Sequence, residues 1–221
     1  MPKKNAMPEP SHMIGPHIIR YSSASDAVFA VAITLLVLNI KVPMIAAGLA
    51  QKELPAALSA LGPQVFAYVA SFFIIGVFWA GHHDLFRAVV KEDAGLFWLN
   101  LLFLFCIVTL PFSTSLFSTY PNIRLAFIIY NTNLAATAAT TGLLWFYVSH
   151  RRRLINPDIN QMLISYINYK NLAITGVFLL TIGLSYYVAP NAARWAWSLV
   201  IVLQLGFGYV FRRRYSRLTV S

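Results

Sequence analysis

Six long apolar runs, separated by short polar or charged stretches, succeed one another along the chain. After a polar leader the first run covers residues 27–40, with Asp26 before it and Lys41 and Pro43 after it. The second covers residues 56–80, carries Pro63 as an expected kink, and ends at Trp79, His82, His83 and Asp84. The third covers 95–112 and is expected to stop near Pro111; the fourth covers 125–148, just before His150, Arg151, Arg152 and Arg153. A fifth, 172–188, leads to Pro190, and a sixth, 195–211, precedes Arg212, Arg213 and Arg214. None shows the period-two alternation of a lipid-facing strand, so each predicts a helix rather than a barrel segment. The first is the weak one: residues 26–40 cover only about 22 Å as a helix and need residues 20–25, or the Lys41 end, to complete a span.

Composition turns these helices into membrane spans. Apolar residues make up 58% of the 221 and charged ones only 11%, against about half and about a quarter in a soluble domain. That excludes an ordinary soluble enzyme and a disordered chain. The fold class is therefore an all-α integral membrane protein with six transmembrane helices per subunit. It divides into a polar leader at residues 1–19, a membrane domain at 20–211 and a basic tail at 212–221. The leader has no apolar core of signal-peptide length, so no cleavage is expected.

The net charge of +10 would suggest nucleic acid in a soluble domain. Here the basic residues gather between apolar runs instead. Thirteen of them (Lys3, Lys4, Arg20, Arg87, Lys91, Arg151, Arg152, Arg153, Lys170, Arg212, Arg213, Arg214, Arg217) fall on the side shared by both termini, and four (Lys41, Lys52, Arg124, Arg194) fall opposite. The positive-inside rule then places both termini in the cytoplasm. Trp79, Trp98 and Trp145 are expected at the inner interface and Trp195 and Trp197 at the outer one. Cys106, the lone cysteine, builds neither a disulfide framework nor a cysteine metal site within one chain. The arginine runs at 151–153 and 212–214 are expected against anionic headgroups.

Ionisable groups at membrane depth are costly and mark functional candidates. Asp26 reads either as a helix N-cap or as a member of an inter-helix network with His82 and His83. On one continuous helix Arg20 and Asp26 lie about 120° apart, so each needs a partner elsewhere. Too few further His, Cys or acidic groups are present to complete a metal or haem ligand set. On the first helix Val31, Leu35 and Leu38 form a narrow apolar stripe edged by the Thr34 hydroxyl, with Asp26 pointing elsewhere. Such a stripe alone is what any packing helix shows, and periodicity identifies no pore.

At this point the chain resembles a known family. Arg20-Tyr-Ser-Ser-Ala-Ser25-Asp26, followed by the apolar run to Leu38, is similar to the Arg-x-x-x-Phe-Ser-Asp signature opening prokaryotic homologues of the endolysosomal potassium channel of animals. The segment from Phe78 through Trp79, His82 and His83 to Phe86 resembles the family's second helix end, and Leu99-Asn100 through Pro111-Phe112 resembles its third. Ala24 stands where the family has Phe, so the aromatic there is expected from Tyr21 or Phe29. The resemblance covers roughly residues 20–117.

The resemblance implies a homotetramer in a prokaryotic cell membrane, with the first helices lining a potassium-conducting pore. It also implies an apolar constriction at Val31, Leu35 and Leu38 and a hydroxyl layer at Thr34. Arg20, Ser25, Asp26, Trp79, His82 and His83 become structural and gating residues. No cofactor, metal, catalytic residue or nucleic-acid partner is implied, only permeant potassium and the bilayer. Two readings stay open beside it: a proton-coupled secondary transporter with Asp26 and His82 or His83 as relay, and a membrane enzyme using His82, His83 and Asp84.

Overall fold

The computed structural model describes residues 16–188 together with 197, 199 and 200, with side chains from residue 22 onward. Among them are six α-helices: α1 (Pro16–Val37), α2 (Ala50–Ala60), α3 (Gly62–Ala88), α4 (Ala94–Thr119), α5 (Arg124–Ser149) and α6 (Gln161–Leu184). Helix α4 is central, packing on α1, α3 and α5, and α5 packs in turn on α6. The sixth expected run and the basic tail lie almost wholly outside the described residues.

Among the described residues three helices, α3, α4 and α6, are long and apolar enough to cross a membrane. Helix α1 reaches spanning length by extending toward the amino terminus: its 22 residues cover about 33 Å. Helix α5 matches α4 in length but is threaded with Asn131, Asn133, Thr137, Thr140 and Thr141. These polar groups are satisfied within the bundle. Asn133 donates to Thr109 Oγ1 (3.1 Å) and Ser113 Oγ (3.0 Å) of α4, and the three threonines donate to carbonyls three or four residues back. Around the outside Phe66, Phe73, Phe105, Phe112, Leu172 and Leu180 are each more than half exposed, as surfaces solvated by lipid tails are.

Proline positions depart from expectation. Pro63 does not kink one long helix; the chain breaks at Leu61, and Pro63 sits in the first turn of α3, where its missing N–H is no loss. Pro111, expected to end the third span, lies inside α4, which continues to Thr119 because Ser113, Thr114 and Phe117 beyond it are buried against neighbouring helices. Lys170, counted with the cytoplasmic loop, lies within α6, whose start at Gln161 is fixed by Asn160 Oδ1 accepting from the Met162 N–H (2.8 Å). Trp98 is 64% exposed as an interface anchor should be, whereas Trp145 is buried and donates to the Ile164 carbonyl, packing α5 on α6.

The α3–α4 and α5–α6 loops are zipped together. Val89 and Ile155 pair, and the Val90 N–H donates to the Leu154 carbonyl (2.8 Å) while the Asn156 N–H donates to that of Ala88 (3.0 Å). Asp93 caps α4 by accepting from the Leu96 N–H (2.9 Å) and accepts also from the Tyr147 hydroxyl (2.8 Å) and from Arg153. A Cβ at residue 95 would overlap the Tyr147 phenol that reaches Asp93, so the glycine leaves room for that contact. Arg152 donates to the Pro157 carbonyl. Two of the six arginines expected against headgroups, Arg152 and Arg153, thus also bond within the loop while remaining exposed.

Desolvation opposes ionisation of Asp93, but the Leu96 N–H, the Tyr147 hydroxyl and Arg153 outweigh it and hold its carboxyl below the ordinary value. A depressed folded-state pKa means that the unfolded chain binds the proton more tightly. This contribution is whole above the unfolded value of 3.8 and lost as pH falls through the folded one. The stability advantage of the wild type over Asp93→Asn, measured by denaturation in detergent, should accordingly shrink as pH falls below about 4.

Candidate functional site

Helix α1 presents two faces. Ser25, Phe29, Ala32 and Leu36, at spacings of four, three and four, are buried against α3 and α4. About 120° around the helix, Val31, Leu35 and Leu38 are 54%, 43% and 71% exposed, and Thr34 between them is exposed as well. The Thr34 hydroxyl donates to the Val31 carbonyl at 2.9 Å, which leaves its exposed oxygen free to accept. Leu38 lies one residue beyond the helix end, in a turn closed by its N–H on the Leu35 carbonyl (3.2 Å). The stripe thus runs along the helix at Val31 and Leu35 and ends one residue beyond it.

The inner half of α1 is locked by polar contacts. Asp26 is eleventh in the helix, not its N-cap, because the Ser-rich stretch before it is helical back to Pro16. Its carboxylate accepts from Trp79 Nε1 at 2.7 Å. Ser25 Oγ accepts from Asn100 Nδ2 (3.0 Å), and Asn100 Oδ1 in turn faces His82 Nε2 (2.8 Å). Since the Asn100 amide nitrogen serves Ser25, its oxygen is left to accept, so His82 donates from Nε2. His82 Nδ1 is then a bare buried acceptor with no partner among the described residues.

An aromatic cage surrounds this imidazole. Phe103 stacks on it (centroids 5.3 Å, 9°), Phe86 lies at 4.6 Å and Phe29 meets it edge-on at 5.5 Å. Phe29 also stacks on Trp79, so it supplies the aromatic packing that Ala24 does not. His83, one residue on, points away from His82 and is exposed, lining an open cleft of ≈360 Å³ with Asp26, Gly76, Trp79 and Ala80. The backbone of Arg20 lies in α1, but its side chain is outside the described ones.

The structure therefore joins Asp26 to Trp79 and Ser25 to His82, with Asn100 as a link that the sequence reading had not singled out as a site. Its signal was present: Asn100 is the single amide in the apolar stretch at 96–107. Among the described residues no group of three or more His, Cys, Asp and Glu could hold a metal ion.

Comparison with known proteins bears on this region first. Residues 20–111, from the start of the locked inner half of α1 to the proline inside α4, match the family model described as endosomal/lysosomal potassium channel TMEM175. A protein of Streptomyces collinus named potassium channel B446_29190 is 34% identical over 175 residues, covering 77% of this chain and 84% of its own. The chain belongs to the TMEM175 family. A crystal structure of a TMEM175 homologue from Chamaesiphon minutus, called a lysosomal potassium-selective channel, superposes with a TM-score of 0.74 at 30% identity, covering 86% of this chain and 98% of that one. Human TMEM175, named an endosomal/lysosomal proton channel, is 32% identical over 101 residues, which is 46% of this chain and 20% of the human protein. The likeness within the TMEM175 family thus holds over nearly the whole prokaryotic subunit and over a fraction of the longer human chain.

Proposed function

We propose that this TMEM175 homologue is a potassium channel subunit, of which four copies gather their α1 helices around one axis in a prokaryotic cell membrane. Val31, Leu35 and Leu38 then form the apolar constriction, with Thr34 as an adjoining hydroxyl layer. The observation that carries this reading is the division of α1: one face is fixed in the subunit core, and the apolar row is left largely uncovered by the described residues of its own subunit. Four such rows make a neck that excludes water, and an ion stripped of its shell is held back there. Membership of a family whose prokaryotic relatives are named potassium channels supports the same reading.

Under it Arg20, Ser25, Asp26, Trp79, His82 and His83 position the inner end of α1 and do not ligate ions. Asp26 and His82 bond to different partners, which disfavours a relay and an enzyme alike. Both termini face the cytoplasm, on the side of the zipped loops, where exposed Arg151, Arg152 and Arg153, and the run Arg212 to Arg214, face anionic headgroups. The test is planar-bilayer recording of the purified protein under potassium–sodium bi-ionic conditions and then under a pH gradient. A reversal potential set by potassium supports the proposal. One that follows the proton gradient assigns this chain the selectivity for which the human relative is named, and accumulation of potassium only while protons flow assigns a transporter.

A further inference from the structure

Asn39 ties the outer end of α1 to the interior of α4. Its side-chain Nδ2 donates to the Pro111 carbonyl at 3.0 Å, a contact between residues 72 positions apart. Asn39 follows Leu38 directly, and the N–H groups of Leu38, Asn39 and Ile40 reach the carbonyls of Leu35, Leu36 and Val37 at 3.2, 3.2 and 3.1 Å. These are bonds to the third residue back, so Leu38 is held by a tight turn and by the side chain next to it rather than by the α-helical ladder. Pro111 is the weak point of α4: it has no N–H to give the Ile107 carbonyl, and helices bend where that bond is missing. The non-helical turn that ends α1 and the proline of α4, where one ladder bond is missing, are therefore joined to each other.

We propose that Asn39 is a positioning residue for the pore, holding Leu38 at its working radius and passing any bend of α4 at Pro111 to the constriction. The inference rests on the reading of α1 as the pore-lining helix. Helix α4 packs on the buried face of α1, about 120° from the constriction row, so the tether draws Leu38 away from the axis. Without it the Leu38 side chains move inward and the neck narrows.

The experiment is single-channel recording of potassium current through the purified assembly carrying Asn39→Leu, which keeps the branched shape without a donor, or Asn39→Ser, which is too short to reach the carbonyl. Both should lower the open-to-closed ratio roughly threefold to tenfold, the range that one net hydrogen bond supports. Asn39→Gln, which retains the amide, should recover part of it. Pro111→Ala combined with Asn39→Leu should do no more than the stronger single change, because both act on one joint.

An unchanged ratio in both Asn39 variants overturns the inference, as do effects that multiply in the double variant. If the Leu variant does not assemble, the Ser variant decides. If neither assembles, Asn39 is a folding residue and the inference is wrong. Leu35→Asn recorded alongside separates the two claims. A current raised by it, with silent Asn39 variants, removes the tether and keeps the pore; a current that neither change moves removes the pore reading itself.

Discussion

Replacing Leu35 by Asn raises the potassium current about tenfold or more. Leu35 is 43% exposed on the uncovered face of α1, and in a fourfold assembly the change puts four amides where four isobutyl groups excluded water. Lowering the barrier to hydration by about 1.4 kcal/mol is enough for a factor of ten in rate. The neighbouring residue supplies the control. Leu36 is fully buried in the core against α3 and α4, so Leu36→Asn leaves an amide without partners at a cost of about 1–3 kcal/mol and lowers stability without opening a path. Recording both variants, with thermal unfolding of each assembly, reads the two faces of one helix separately. A Leu35→Asn current equal to that of the wild type would show that the narrowest point lies elsewhere.

The faces of α1 were legible in the sequence because a 3.6-residue period alone separates Val31, Leu35 and Leu38 from Phe29, Ala32 and Leu36. The helix start was not, because Ser22, Ser23 and Ser25 interrupt the hydropathy that marks a span while remaining helical. The start of α6 was missed for the same reason: Tyr166, Asn168, Tyr169, Lys170 and Asn171 depress hydropathy behind a clear Asn160 cap. Two prolines of identical local chemistry had different outcomes. Pro63 stands where one helix has already ended, and Pro111 stands where the residues beyond it still have a core to enter. Burial by other helices decides such cases, and no local pattern reports it. Likewise His82 and His83 are indistinguishable as neighbours in sequence, yet one is caged by three phenylalanines and the other lines an open cleft.

That contrast gives the second large effect. Asn100→Ala removes the acceptor of His82 and the donor of Ser25 together, leaving a buried imidazole N–H with no partner and a small void beside it. The two losses sum to about 2–4 kcal/mol of stability, whereas His83→Ala, on an exposed side chain, stays within about 0.5 kcal/mol. His82→Phe fits the cage but strands the Asn100 carbonyl. Combining it with Asn100→Ala removes both partners, so the double variant should be less destabilised than the sum of the singles. Strict additivity would mean that the pair contributes nothing as a pair. The current through whatever fraction assembles discriminates further. Neither residue lies on the uncovered face of α1, so potassium conduction should survive in each variant, while a proton-coupled relay through His82 would lose transport completely.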